Sequence, residues 1–135
     1  TRSEHISAFW DFMPTFAEIA GIDSLPQTDG ISMLPELLGK EQKKHDFLYW
    51  EFHEQGGRVA VRMNDWKAVK TDIEKIPHGP TELYDLKTDI GETLDLAAEH
   101  RDIVHIMDSL IELSHVKSDD FPFSCEAADR KHEIK

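Results

Sequence analysis

One short stretch of the chain gathers side chains that could take part in chemistry. His53 and Glu54 follow an apolar run, the pair Gly56-Gly57 comes next, and Arg58 opens a basic segment. A glycine pair allows a backbone path that other residues cannot follow, and loops at strand ends commonly carry binding residues. The stretch therefore predicts one candidate binding loop, which begins at His53.

Metal and nucleophile chemistry find little support in the sequence. A HExxH zinc site at His53 is excluded, because Gly57 stands where the second histidine would be. Cys125 is the single cysteine, so the chain can form neither an internal disulfide nor a cysteine-built zinc site. Its polar surroundings suggest no activating base. The other histidines show no ligand spacing and are expected at the surface: His5, His45, His78, His100, His105, His115 and His132.

A basic hairpin follows the loop. A two-residue turn at Asn64-Asp65 would place Met63 opposite Trp66 and Arg62 opposite Lys67. Like charges paired across strands are unfavourable unless an anion lies beside them. That anion is either a carboxylate of this chain, such as Glu51 on the neighbouring strand, or an anionic ligand.

The tryptophans also have two interpretations. Trp10, Trp50 and Trp66 could form a surface that stacks on sugars, or they could be core and half-buried anchors, which is the commoner role of tryptophan.

Composition narrows the class of protein. The 135 residues include 15 Lys and Arg against 27 Asp and Glu, for a formal charge of -12. This acidic balance argues against binding to nucleic acid or to an anionic membrane surface. No apolar run reaches the length of a membrane span.

The hydrophobic patterns predict an α+β fold. Two short helices, each with Pro in its first turn and Gly as a stop, are expected at 11–21 with Asp11 as N-cap and at 32–39 with Ser32 as N-cap. Strands are expected at 47–53, 58–63, 66–70 and 81–86, and an amphipathic helix across 98–116. The expected arrangement is a small antiparallel sheet of three to four strands packed on the C-terminal helix.

Four motifs in a fixed order resemble the C-terminal portion of the type I, arylsulfatase-like sulfatases, over residues 7 to 116. The motifs are DFMPTFAEIAGI, TDGISMLPELLGK, FLYWEFH with VAVRMNDWKAVK, and TELYDLKTDIGETLDLA. Ile90 and Asp95 depart from the proline and asparagine usual in the last motif. Both changes fall in the loop before the last helix.

The resemblance implies a fragment of an alkaline-phosphatase-like α/β sulfatase fold. Residues 1–45 would be helices from the end of the main domain with a connector, 46–117 the C-terminal subdomain, and 118–135 an irregular tail. The formylglycine nucleophile and a divalent metal, taken to be calcium, are expected in the full-length enzyme but not in this fragment. The fragment is therefore expected to be inactive alone.

The resemblance also implies a role for the loop. In sulfatases this subdomain borders the substrate pocket, so His53, with Glu54 and Arg58 as weaker candidates, would contact a sulfated small molecule or sugar. The other partner that the resemblance implies for this region is the upstream sulfatase domain. Sulfatases of this type are commonly exported, which implies a periplasmic or extracellular location. The alternative is a stand-alone binding or interaction module with the same subdomain fold.

Overall fold

The computed structural model describes residues 2–22, 24–123 and 125–126. The chain separates into two compact units, Thr1–Asp46 and Phe47–Lys135. Among the described residues, no helix is long and apolar enough to cross a bilayer. His132 and most of the predicted tail lie outside the described residues.

The first unit contains the two predicted helices, both short. A 3-10 turn, Phe9–Asp11, leads into α1, Phe12–Ile19, and a single turn, Leu34–Leu37, forms α2. Both predicted glycine stops are confirmed, because Gly21 and Gly39 have φ values of +70° and +69°, in the left-handed region.

Asp11 stands at the predicted N-cap position of α1, but its side chain makes no capping hydrogen bond to that helix. The 3-10 turn begins the helical path one turn earlier, so the Asp11 carboxylate points back to the Ala8 amide, 2.7 Å away. The same carboxylate accepts hydrogen bonds from the Ile31 amide and from His45 Nε2, each at 2.8 Å. It is fully buried. Asp11 therefore joins three segments of the first unit and does not cap α1.

Thr15 extends this arrangement. Its hydroxyl donates to the Asp11 carbonyl at 2.6 Å and accepts from the Met33 amide at 2.8 Å. Gly30 passes so close to the 3-10 turn that an added Cβ would lie 2.3 Å from the Trp10 carbonyl oxygen. The Asp-x-x-Pro-Thr and Asp-Gly-x-Ser motifs are thus two halves of one packed structure.

The second unit is built on a four-stranded antiparallel sheet in sequence order. The strands are β1 Leu48–Phe52, β2 Arg58–Met63, β3 Trp66–Lys70 and β4 Glu82–Asp85. The predicted hairpin register is confirmed, with Met63 opposite Trp66 and Arg62 opposite Lys67.

Helix α3, Arg101–Ser114, covers one face of this sheet. The helix that the amphipathic pattern predicts is confirmed. Met107 and Ile111 enter the core, while Ile103, Val104 and Leu110 pack around it. The strands contribute Val59, Val61, Ala68 and Leu83 to the same core. This face, which also carries Tyr49 and Glu51, is called the inner face.

Asp95, one of the two departures from the sulfatase motif, has a structural role. Its Oδ1 accepts from the Leu83 amide at 3.0 Å and from the Ala97 amide at 2.9 Å. A carboxylate oxygen can accept both bonds as an asparagine carbonyl would, so the loop keeps its attachment to β4.

Candidate functional site

His53 follows the last residue of β1 and turns toward the inner face. Alternation along the strand places Tyr49, Glu51 and His53 on one side, and the pairing of Tyr49 with Val61 makes that side the buried one. The His53 side chain is only 13% exposed. The histidine of the candidate loop is therefore a half-buried group beside the core.

Glu51 connects the polar side chains of this cluster. Its Oε1 accepts from the Tyr49 hydroxyl at 2.6 Å and from His115 Nδ1 at 2.7 Å, while its Oε2 lies 3.1 Å from His53 Nε2. Burial acts to raise the pKa of Glu51, but the hydrogen bonds from Tyr49, His115 and His53 outweigh it and lower that pKa. Glu51 is thus held as a carboxylate.

His115 lies between two carboxylates. Its Nδ1 faces Glu51, and its Nε2 lies 2.7 Å from Glu126 Oε1. Because a carboxylate only accepts hydrogen bonds, both ring nitrogens must donate, which requires the imidazolium form. Burial acts to lower the pKa of His115, but the hydrogen bonds and the charges of Glu51 and Glu126 outweigh it and raise that pKa.

Two aromatic residues that follow α3 enclose the His53 ring. The Phe123 ring stacks on it with centroids 3.9 Å apart and planes 4° apart, and the Phe121 ring lies 4.4 Å away at a tilt of 36°. Phe123 is 3% exposed and belongs to the core. The residues after 118, predicted as an irregular tail, therefore complete the inner face where the structure describes them.

The double glycine closes the loop against its surroundings. Gly56 and Gly57 have φ values of +88° and +74°, and their carbonyls accept from the amides of Glu74 and Ile73. A Cβ on Gly57 would lie 3.2 Å from the Phe123 ring. Backbone conformation and close approach both require glycine there.

The other two predicted binding residues point elsewhere. Glu54 and Arg58 are both exposed, and Arg58 Nη2 donates to Gln55 Oε1 at 3.0 Å. The structure therefore brings His53 into the buried cluster and leaves Glu54 and Arg58 at the loop surface. The substrate-binding roles of all three stay predictions.

The basic hairpin pairs with a carboxylate of this chain, but that carboxylate is Glu92 and not the expected Glu51. Glu51 cannot neutralise Arg62 and Lys67, because it lies on the inner face and they lie on the outer face. Lys67 Nζ instead pairs with Glu92 at 2.6 Å, and Arg62 Nε donates to the Asn64 carbonyl at 3.1 Å.

The tryptophans are half-buried, in agreement with the anchor interpretation. Trp50 lies on the outer face and Trp66 on the inner face, where Trp66 packs against the core and its ring lies 4.9 Å from that of His100. Two rings on opposite faces of a sheet cannot form one stacking surface.

Three residues of the cluster were missed by sequence reasoning. The sequence predicts His115 at the surface, names Glu51 as a possible partner of Arg62 and Lys67, and places Glu126 in the tail. Alternation from Tyr49 would have put Glu51 and His53 on the inner face. The approach of His115 spans 64 residues from Glu51 and has no local signal.

A cavity of about 380 Å³ adjoins the cluster on the inner side of the sheet. Its lining includes Tyr49, His115, Phe123 and Cys125. Cys125, expected in polar surroundings, is half-buried and packs against the core. Within the part of the chain that the structure describes, no group of three or more His, Cys, Asp or Glu side chains could hold a metal ion.

Comparison with known proteins relates this geometry to a family. The chain is 34% identical over 105 residues to the Delta 4,5-hexuronate-2-O-sulfatase of Bacteroides thetaiotaomicron, covering 67% of this chain and 21% of that protein. This region is sulfatase-like. The chain spans about a fifth of the length of that curated relative, and no protein-family model matches it.

Solved structures agree with the sulfatase-like fold. The crystal structure of Ps i-CgsB matches with a TM-score of 0.69 and 25% identity, over 96% of this chain and 29% of that one. A protein solved with its substrate D-glucosamine-2-N,6-O-disulfate matches with a TM-score of 0.62 and 23% identity, over 77% of this chain and 23% of that one. The predicted α+β subdomain of an alkaline-phosphatase-like sulfatase fold is thereby confirmed.

Proposed function

We propose that this sulfatase-like region forms part of an enzyme that hydrolyses sulfate esters of sugars. The observation that carries the proposal is the 34% identity to a hexuronate-2-O-sulfatase. The co-crystallised substrate of one structural neighbour, a disulfated glucosamine, supports a sulfated carbohydrate as the substrate class. In this proposal the formylglycine nucleophile and the divalent metal, calcium, belong to the rest of a longer protein, which is exported.

The contribution of this region is to the substrate pocket, through the loop that begins at His53. Because Glu51 only accepts hydrogen bonds, His53 Nε2 carries the proton and Nδ1 is left as an acceptor. Nδ1 is buried, and no hydrogen-bond partner for it lies among the described residues. Leaving a buried acceptor without a partner is costly, which supports a role for His53 beyond packing.

The experiment measures hydrolysis by the full-length protein and by residues 1–135 alone. The substrates are a 2-O-sulfated unsaturated hexuronate disaccharide and a chromogenic aryl sulfate. We expect the full-length protein to release sulfate and the isolated region to release none. Binding of the disaccharide by both proteins without hydrolysis would favour the alternative, a stand-alone binding module.

His53→Ala in the full-length enzyme tests the loop. We expect kcat/KM to fall about tenfold, which corresponds to one hydrogen bond of roughly 1.4 kcal/mol. His105→Ala is the matched control, since His105 is exposed on α3. His53→Phe separates folding from binding, because a phenyl ring keeps the stack on Phe123 and loses both nitrogens. A phenylalanine variant as active as wild type would show that His53 contributes packing alone.

A further inference from the structure

His53 is restrained by residues that follow α3. The hydrogen bond to Glu51 sets how far the ring can rotate, and the stack on Phe123 sets its plane. Phe121 lies against the same ring. Residues 115–123, called here the closing segment, therefore determine where the first side chain of the loop points.

His115 attaches the closing segment to the sheet. It bonds Glu51 of β1 through Nδ1 and Glu126 through Nε2, both at 2.7 Å. Glu126 in turn accepts from the Phe123 amide at 3.3 Å, so the bridge continues to the residue that stacks on His53. The other ionisable side chains around the adjoining cavity are Tyr49, Lys70, His78, Glu112, Lys117 and Cys125.

The closing segment also supports the loop backbone. Gly57 is buried, and a side chain there would meet the edge of the Phe123 ring. The His53 side chain and the Gly57 backbone thus rest on one phenyl ring.

We propose that His115 and Phe123 are positioning residues for the substrate loop, and that they act on catalysis through His53. The proposal rests on the proposed function, since it assumes that the loop contacts a sulfated sugar. Displacing a binding group by about 1 Å can lower a rate roughly a hundredfold, so a small shift of the His53 ring is sufficient.

The test is a double-mutant cycle in the full-length enzyme with the 2-O-sulfated disaccharide. His115→Gln removes the charge, and Phe123→Leu removes the flat ring while keeping an apolar side chain. Each is combined with His53→Ala, and His105→Gln is the matched control on α3. We expect each single variant to lower kcat/KM by up to about tenfold, the loss expected for His53→Ala, mostly through KM, and to add little in the His53→Ala background.

Phe123→Tyr serves as a conservative rescue. It keeps the stacking ring, and we expect at least half of the wild-type kcat/KM. The positioning role is wrong if Phe123→Leu and Phe123→Tyr lose activity equally. It is also wrong if the loss of kcat/KM caused by His115→Gln or Phe123→Leu multiplies with the loss caused by His53→Ala. A wild-type enzyme that hydrolyses no sulfate ester would overturn the proposed function instead, so the two failures are distinguishable.

Discussion

The Asp11 carboxylate links separate segments of the first unit through hydrogen bonds. One buried carboxylate receives two backbone amides and one imidazole from three separate segments. Burial acts to raise the pKa of Asp11, but the hydrogen bonds from Ala8, Ile31 and His45 outweigh it and lower that pKa. Charged hydrogen bonds of this kind are among the stronger ones in proteins.

Asp11→Ala should lower the free energy of unfolding of the intact protein by about 3 kcal/mol, because it leaves buried donors without an acceptor. Urea titration measures this, and Asp29→Ala, an exposed aspartate of the same unit, should change it by less than about 0.5 kcal/mol. Because the native pKa of Asp11 is lowered, this stabilisation also depends on pH. It is present above the ordinary pKa of 3.8 and is lost as the pH falls through the native pKa of Asp11. Similar losses for both variants would contradict this assignment.

His115 predicts the opposite pH dependence. Its native pKa is raised, so its stabilisation is complete below the ordinary value of 6.5 and is lost as pH rises through the native value. Thermal unfolding between pH 5 and pH 9 should show wild type losing stability on the alkaline side. His115→Gln should be less stable than wild type at pH 5, and its stability should fall less steeply as the pH rises. His105→Gln should show the same dependence of stability on pH as wild type. A wild-type slope in His115→Gln would refute the pairing of the His115 imidazolium with Glu51 and Glu126.

At the scale of elements, α3 contributes two neighbouring residues with opposite environments. Met107 is fully buried among Val61, Leu83 and Ile111, while Ile106 is 48% exposed. Consecutive helix positions differ by about 100° around the axis, so only one of the two can face the sheet.

Met107→Ala should lower the free energy of unfolding by about 2–5 kcal/mol, the range for deleting a large core side chain. Ile106→Ala should lower it by less than about 1 kcal/mol. Urea titration of both variants measures the difference, and nearly equal losses would mean that α3 does not pack on the sheet as described.

The strands were predictable because their cause is local. Alternating apolar residues and the Asn64-Asp65 turn fix β2 and β3 and their register within a dozen residues. The closing segment was not predictable, because its order comes from contacts with β1 rather than from its own periodicity. Asp11 was misassigned for a related reason: two of its three partners, Ile31 and His45, lie 20 and 34 residues away.

The first unit exposes a row of three aromatic rings on its surface. The Phe9, Phe12 and Phe16 rings follow one another at centroid distances of 5.7 and 5.8 Å, and all three are exposed. Aromatic rings in such a row are unfavourable in water. Under the proposed function, the remainder of a longer sulfatase covers them.

Phe16→Asp in the full-length protein should therefore lower Tm by several degrees, as roughly 2 kcal/mol of lost burial would. Leu113→Asp is the matched control, because Leu113 is 81% exposed on the solvent side of α3. Differential scanning calorimetry measures both variants. Equal Tm values for the two would mean that the aromatic row stays in water.

The bridge from Glu51 to His115 also sets an order of events during synthesis. The two residues are 64 positions apart, and at about 5–20 residues per second a ribosome needs roughly 3–13 s to travel between them. During that interval β1 already carries Tyr49, Glu51 and His53, but His115 and Phe123, which contact Glu51 and His53, have not been made. The nascent sheet therefore carries Glu51 and His53 at its edge strand until α3 and the residues that follow it have been made.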